Sequence, residues 1–196
     1  MNRSRIGLVC SGLLLAVILL AMLVSTSFAG DIPEKPAAKS FPVKTKTAEP
    51  KIVACLAYKG SYDAHERVIG KLTDWVKQNG LLVAGPVCGV YYNNPMDSKP
   101  EELKWEIQIP VVEGVTASAK EGEPTTKERG AALVAYTFYK GPYEQVGMAY
   151  GALFEWVGKN GYVPAGPCTE IFWSDPSTPK ESCVTEIQVP INPVKK

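Results

Sequence analysis

The stretch YKGSY at residues 58–62 recurs as YKGPY at residues 139–143, a shift of 81 residues (139 − 58). The same shift carries Trp75 onto Trp156. Three more motifs keep this order: NG at 79–80 and 160–161, AGP at 84–86 and 165–167, and, after a one-residue deletion, EIQIP at 106–110 and EIQVP at 186–190. So many matches in a single order indicate an internal duplication.

Each copy is predicted to fold as strand, helix, strand, strand. Residues 52–59 and 133–140 are rich in β-branched and aromatic residues and stop at a glycine, which is typical of a strand before a turn. Apolar residues at helical spacing follow in each copy and end at Asn-Gly, a helix C-terminus. A hairpin completes each copy, with strands at 87–92 and 104–111 and at 168–173 and 184–191. The expected fold class is α+β, built from tandem duplicated β-α-β-β modules.

Alternation in the last strand of each copy separates the two faces of the sheet. In WEIQI (105–109) the apolar side chains point to one side, while Glu106 and Gln108 point to the other, and Glu186 and Gln188 repeat this arrangement. Because helices must cover the apolar face, the carboxylates are expected on the surface that no helix covers. Two copies paired about an approximate two-fold axis would then form a concave antiparallel sheet with helices on one face.

Aromatic residues crowd the same regions. In Tyr91-Tyr92 and Phe172-Trp173 neighbouring rings point to opposite faces, so one member of each pair is expected beside a glutamate. A carboxylate walled by rings suits a flat or cationic organic ligand and could also act as a proton donor or base. The candidate ligand-binding residues are Glu186, Gln188, Glu106, Tyr58, Tyr92, Tyr139, Tyr143 and Trp173.

These motifs together resemble the GyrI-like small-molecule-binding family, which is also described as the effector-binding domain of AraC-type regulators. The resemblance covers residues 51–193 and is carried by the Tyr-x-Gly-Pro-Tyr turn, the Trp before Asn-Gly, the Ala-Gly-Pro segment and the closing Glu-Ile-x-x-Pro strand. It implies a ligand cleft at the pseudo-two-fold interface, with Glu186 meeting a cationic aromatic ligand and Glu106 as its counterpart. The resemblance to some members of the family also implies a possible activity, the hydrolysis of strained cyclopropane-containing compounds by a cleft glutamate and aromatic residues.

Three functions remain open from the sequence. The first is an exported, non-enzymatic protein that binds an amphipathic or cationic organic compound between its repeats. The second is a hydrolase of strained or xenobiotic small molecules, with Glu186 as general acid or base. The third is a protein-interaction module that uses the concave face. Gly-x-Ser-x-Gly, P-loop, dinucleotide-binding and HExxH motifs do not occur, and neither a cofactor nor a metal site is expected.

Composition limits the partners further. Hydrophobic residues make up 45% of the 196 residues, which is typical of a packed globular domain. Lys and Arg total 21 against 20 Asp and Glu, so no cationic excess exists for binding nucleic acid. The single histidine, His65, lies in a polar stretch and is expected to be solvated.

The N-terminus predicts export. Arg3 and Arg5 precede an apolar run over residues 6–24, and Ser27-Phe28-Ala29 supplies the small residues of a cleavage site. Residues 1–29 are therefore interpreted as a signal peptide cleaved after Ala29 or, alternatively, as a membrane anchor. Either interpretation places the rest of the chain outside the cytoplasm, periplasmic or membrane-anchored, with membrane contact only through this segment.

The remaining boundaries follow from composition. Residues 30–50 are a Pro- and Lys-rich linker, and residues 51–196 form the domain, with repeat one at 51–112, a polar connector at 113–130 and repeat two at 131–193. Four cysteines remain after cleavage and allow three disulfide pairings or none. The sequence leaves open the pairing of Cys55, Cys88, Cys168 and Cys183, and also the oligomeric state.

Overall fold

The computed structural model describes residues 40–114 and 122–195. The predicted export segment, residues 1–29, lies outside these ranges, as does the first half of the predicted linker. Neither helix of the described ranges has the length and apolar character needed to cross a membrane.

Both repeats fold as the sequence predicts. Repeat one contains β2 (Lys51–Lys59), α1 (His65–Gln78), β3 (Cys88–Tyr91) and β4 (Lys104–Val111). Repeat two contains β6 (Ala132–Lys140), α2 (Gly147–Lys159), β8 (Cys168–Phe172) and β9 (Val184–Pro193). Three further strands are β1 (Lys44–Ala48), β5 (Thr125–Arg129) and the short β7 (Tyr162–Pro164).

Eight strands of the described ranges form one curled antiparallel sheet in the order β1-β6-β9-β8-β3-β4-β2-β5, and β7 pairs with the end of β9. The sheet is symmetric about its centre, because each strand of one repeat has its counterpart at the same distance from the opposite edge. Its centre is the pairing of β3 with β8, where Gly89 lies opposite Glu170. This pairing, called the seam below, joins the two repeats. The predicted α+β fold class with duplicated modules is confirmed.

Two segments that the sequence assigns to the linker and the connector form strands instead. β1 pairs with β6, so the segment before repeat one completes repeat two. β5 pairs with β2, so the segment before repeat two completes repeat one. Both are polar edge strands that pair through one side of the backbone, and such strands need no apolar pattern that a sequence could reveal.

The two helices cover one face of the sheet through separate cores. Val68, Leu72 and Val76, spaced four residues apart, are buried on α1 against β2 and β4. The equivalent residues of α2, with Leu153 at the centre, are buried against β6 and β9. The side covered by α1 and α2 is called the helix face below, and the other side the open face.

Repeated motifs have local structural roles. The Asn79 side chain donates a hydrogen bond to the carbonyl of Trp75 over 2.9 Å, and Gly80 follows with φ of +63°. These two residues end α1 as a Schellman-like C-terminus. In the YKG turn Gly60 has φ of +137°, and a Cβ there would lie 3.0 Å from the Tyr58 ring. The tyrosine therefore packs over a glycine that permits both the turn and the close approach.

The cysteines are unpaired, so the alternative of no disulfide holds for the four that the structure describes. Cys55 and Cys88 both lie opposite Gln108, one on each neighbouring strand of β4. Their Cα atoms are thus two strand spacings apart, about 9–10 Å. A disulfide requires about 4.4–6.8 Å.

Candidate functional site

The eight predicted ligand-binding residues divide between the two faces. Strand pairing places five of them on the open face: Glu106, Glu186, Gln188, Tyr92 and Trp173. Tyr58 and Tyr139 pack in the two cores of the helix face, and Tyr143 lies in the turn before α2. The eight residues therefore do not line one cleft.

Glu186 is buried on the open face and already has a complete set of partners. Its side chain is 1% exposed and forms an ion pair with the ammonium group of Lys46. Gln188 Nε2 donates to its Oε1 over 2.7 Å, and Trp173 Nε1 donates to its Oε2 over 3.1 Å. The expected neighbourhood of indole and carboxylate is confirmed, but the negative charge is neutralised by a residue of β1.

Glu106 repeats this arrangement in repeat one. Lys127 Nζ lies 2.7 Å from Oε1 and 2.9 Å from Oε2, and the Gln108 amide also donates to Oε1. The Tyr92 hydroxyl lies beside Glu106, and burial together with the glutamate charge raises the pKa of this tyrosine. Glu186 and Glu106 are thus each paired with a lysine, which β1 supplies to the first and β5 to the second.

Two of the predicted tyrosines, Tyr58 and Tyr139, have structural partners away from these acids. Tyr58 packs against Trp105 with ring centroids 5.0 Å apart and accepts a hydrogen bond from Arg67. Tyr139 is fully buried and donates its hydroxyl to the carbonyl of Pro142. Their grouping with Glu186 is corrected because Tyr58 and Tyr139 share the strand phase of the core residues.

A third acid, Glu170, lies on the helix face at the seam. It is 7% exposed, and it accepts hydrogen bonds from the Tyr150 hydroxyl over 2.8 Å and from the Tyr91 hydroxyl over 3.4 Å. None of the ion pairs within residues 40–114 and 122–195 involves Glu170. Burial raises the pKa of its carboxyl, and the two tyrosine hydrogen bonds only partly offset this. Glu170 is therefore a buried carboxylate without a cationic partner in the described part of the chain.

Aromatic rings from both repeats surround this acid. Tyr62 meets Tyr91 edge to face at 5.3 Å, and Tyr143 meets Phe172 in the same manner at 5.8 Å. The 81-residue shift relates Tyr62 to Tyr143 and Tyr91 to Phe172, so the two pairs are repeat counterparts. With Tyr150 of α2 these residues form what is called the seam cluster below. Glu170 contributes to raising the pKa of Tyr62, Tyr91, Tyr143 and Tyr150, after burial in each case.

The two sides of the seam cluster are not equivalent. In repeat one His65 and Trp105 fill the space, with ring centroids 4.3 Å apart. Their counterparts in repeat two are the smaller Val146 and Thr185. The Thr185 hydroxyl is buried and forms a hydrogen bond with the Tyr143 side chain, which partly offsets the rise that burial causes in the Tyr143 pKa. Smaller side chains thus lie on the repeat-two side, next to Tyr143.

Sequence reasoning missed Glu170 although a signal was present. In CTEIFW (168–173) alternation places Glu170 in phase with Cys168 and Phe172, and thus on the face that the helices cover. Its counterpart is Gly89, where a Cβ would lie 2.5 Å from the Tyr91 hydroxyl oxygen. The glycine therefore allows Tyr91 to fold back toward Glu170. An acid on an apolar face in only one copy was the available indication.

His65 was predicted to be solvated, and this prediction is wrong. Its ring is half-buried and stacks on Tyr62 at 5.3 Å, with Nε2 3.4 Å from the Tyr91 hydroxyl. Burial lowers the pKa of His65 from 6.5 to about 4. The polar residues around it in the sequence lie on the outer side of α1, whereas the imidazole turns toward the seam.

The His65 pKa predicts how stability depends on pH. As pH falls from 6.5 to about 4, His65 is protonated in the unfolded chain but stays neutral in the folded chain. The free energy of unfolding should therefore fall by about 1–2 kcal/mol over this window, allowing for partial exposure of the ring. Urea unfolding of the protein and of His65→Phe checks this, because the variant should lack that contribution. Equal slopes in both proteins would contradict the prediction.

Comparison with known families identifies both repeats. The model of the GyrI-like small molecule binding domain matches residues 23–112 and 113–192. A comparison with curated proteins gave no match.

Solved structures share the fold. The C-terminal domain of EcmrR has a TM-score of 0.68 at 21% identity, covering 80% of this chain and 100% of that one. EcmrR in a complex with DNA has a TM-score of 0.69 at 20% identity over 79% of this chain, which spans 58% of that longer chain. A hydrolase from Listeria innocua has a TM-score of 0.58 at 11% identity, covering 80% and 94% of the two chains. At these identities the likeness shows the fold alone.

Proposed function

The chain belongs to the GyrI-like small molecule binding family, and from this premise we propose that it binds a cationic aromatic or amphipathic compound at the seam cluster. The observation that carries the proposal is Glu170, a buried carboxylate surrounded by rings and without a cationic partner among the described residues.

Charge and ring geometry together define the ligand class. Desolvation makes an unpaired carboxylate costly, and two tyrosine hydroxyls compensate Glu170 only in part. A ligand cation supplies the missing opposite charge. The faces of Tyr62, Tyr143 and Phe172 attract the same cation through their quadrupoles and bury its apolar surface.

The open face is the less favourable place for such a cation. A ligand at Glu186 would have to compete with Lys46, and a ligand at Glu106 with Lys127. A ligand cation would only replace the lysine ammonium as the partner of the glutamate. Because the glutamate is already paired in the free protein, most of the electrostatic gain from binding the ligand is lost. The role of Glu186 in ligand binding stays a prediction, which the variants in the Discussion test.

Access to Glu170 runs along the outer rings of the seam cluster. Tyr143 is 43% exposed, and Tyr150 stacks on the exposed ring of Phe154 at 6.5 Å. Rotation of Tyr150 away from Glu170 frees one carboxylate oxygen and opens the repeat-two side, where Val146 and Thr185 replace the larger His65 and Trp105 of repeat one. The ligand cation then replaces the hydroxyl of Tyr150.

A planar cation and its uncharged parent test the proposal. At pH 8 we expect 10-methylacridinium to bind at least about tenfold more tightly than acridine, since the two rings differ mainly in charge. Fluorescence titration of the protein gives both affinities, and binding should raise the melting temperature. As pH falls through the raised pKa of Glu170, the carboxyl is protonated and the affinity for the cation should fall. Equal affinities for the two rings would contradict the proposal.

A hydrolase is the second candidate function. The same observation supports it, because a carboxyl whose pKa is raised by burial, beside two phenol hydroxyls, is suited to donate or accept a proton. In this version Glu170, rather than Glu186, is the acid or base. Mass spectrometry of strained cyclic compounds incubated with the protein tests it. Turnover that survives in Glu170→Gln would contradict this assignment.

We also propose that the domain works outside the cytoplasm. Arg3 and Arg5, the apolar run over residues 6–24 and Ser27-Phe28-Ala29 support this from the sequence. Fractionation of cells that express the full chain, followed by N-terminal sequencing, tests it. A mature N-terminus at Gly30 in the extracytoplasmic fraction is expected, and intact protein in the cytoplasm would contradict it.

A further inference from the structure

The charges of the open face do not cancel everywhere. Lys46 neutralises Glu186, and Lys127 neutralises Glu106. Arg129 of β5 is a cation of this face that takes part in none of the ion pairs formed by the described residues. Its guanidinium donates a weak hydrogen bond to the Gln108 side-chain oxygen over 3.5 Å.

A second unpaired cation lies directly opposite Arg129. The register of β5 with β2 pairs Arg129 with Lys51, so their side chains leave the sheet on the same side. Like charges in directly opposite positions destabilise a sheet. No ion pair within the described ranges relieves this one, because Lys51 also has no carboxylate partner. Burial raises the pKa of the Cys88 thiol, and the positive charges of Arg129 and Lys51, with a hydrogen bond from Arg129, partly offset this rise.

These two cations border a groove with an apolar wall. Its volume is about 220 Å³, and its lining includes Lys51, Arg129, Ile171 and Trp173. The Trp173 indole is 53% exposed, and its hydrogen bond to Glu186 fixes the ring orientation. Glu49 is the acid of this lining, and it forms no ion pair with either cation within the described residues.

We propose that this groove is a second binding site, for a small aromatic carboxylate. Arg129 receives the carboxylate through two parallel N–H donors, and Lys51 adds a second positive charge. The ring of the ligand packs on Trp173 and Ile171. The anion separates the two opposed cations, so binding relieves a repulsion that exists in the free protein. The site lies on the opposite face of the sheet from Glu170 and has the opposite charge preference.

Calorimetric titration with 2-naphthoate, and with the uncharged 2-naphthylmethanol as comparison, tests this site. The naphthoate is expected to bind and to shift the Trp173 indole N–H resonance, whereas the alcohol binds at least about tenfold more weakly. Arg129→Gln should lose about tenfold or more in naphthoate affinity, and Lys51→Gln should lose less. Arg67→Gln, on the helix face, is the matched control and should bind like the unmodified protein.

Two results would overturn the proposal: equal binding of the acid and the alcohol, or unchanged naphthoate affinity in Arg129→Gln. The variant should keep its fold because Arg129 has no ion pair to lose, and its thermal melting curve verifies this. Binding of 10-methylacridinium should not change in Arg129→Gln. The naphthoate titration therefore tests the anion site, and the 10-methylacridinium titration tests the seam site independently.

Discussion

Replacing Glu170 with glutamine is expected to weaken binding of 10-methylacridinium at pH 8 by about tenfold to a hundredfold. Glutamine keeps the size of the side chain and one oxygen that accepts from a tyrosine hydroxyl, its amide nitrogen can donate to the other tyrosine oxygen, and the charge that the cation meets is removed. Affinity for uncharged acridine should change little, because ring contacts remain. Fluorescence titration of the protein and the variant with both compounds measures the difference.

Glu186→Gln is the matched control for Glu170→Gln. Both substitutions remove one buried carboxylate from repeat two, but Glu186 lies on the open face and already has Lys46 as its partner. We expect Glu186→Gln to bind the cation as the unmodified protein does. The opposite pattern, with affinity lost in Glu186→Gln and kept in Glu170→Gln, would place the ligand on the open face and reject the seam.

Replacing Lys46 with methionine is expected to lower the free energy of unfolding by about 2–4 kcal/mol, since it leaves the Glu186 carboxylate buried without a counterion. The Lys46 side chain is 38% exposed, which keeps the loss below that of a fully buried pair. Lys46 Nζ also lies 4.5 Å from the centroid of the Tyr136 ring, so a smaller contact is lost as well. Urea unfolding and a melting temperature lower by about 5 °C or more would confirm this.

A double variant separates charge from packing in that experiment. Lys46→Met combined with Glu186→Gln should recover much of the lost stability, because no buried charge then lacks a partner. The counterpart in repeat one, Lys127→Met, should behave like Lys46→Met because Lys127 contacts both oxygens of Glu106. If Lys46→Met were as stable as the unmodified protein, the structural role of the pair would be refuted.

The repeated motifs were sufficient to predict the modules and their order. Tyr58 and Tyr139 recur because each packs over a glycine in the same turn, and Asn79 and Asn160 recur because each ends a helix. Local requirements of this kind leave a readable pattern. The edge strands β1 and β5 left none, because their stability comes from backbone pairing with a distant strand.

The position of the site was harder to predict for a related reason. Alternation correctly separated Glu106 and Glu186 from the core, but it could not show that Lys46 and Lys127 would neutralise them. Those lysines lie in segments without a strand signature, and only tertiary pairing brings them to the acids. Among the described residues, the buried acid without an ion pair is Glu170, which the same alternation assigns to the helix face.

Duplication explains why the seam can be specialised. Two copies that meet at β3 and β8 place the same position of each repeat at the centre, and here one copy holds Gly89 and the other Glu170. The glycine gives space to Tyr91, and the glutamate supplies the charge. The symmetric part of the repeat thus builds the fold, while the departure from symmetry supports the proposed ligand site.

A crystal structure of the protein with 10-methylacridinium tests the central claim most directly. We expect the cation between Tyr143 and Phe172, in contact with the Glu170 carboxylate, with the Tyr150 hydroxyl moved away from that oxygen. A cation bound beside Glu186 and Trp173, with Tyr150 still hydrogen-bonded to Glu170, would contradict the claim.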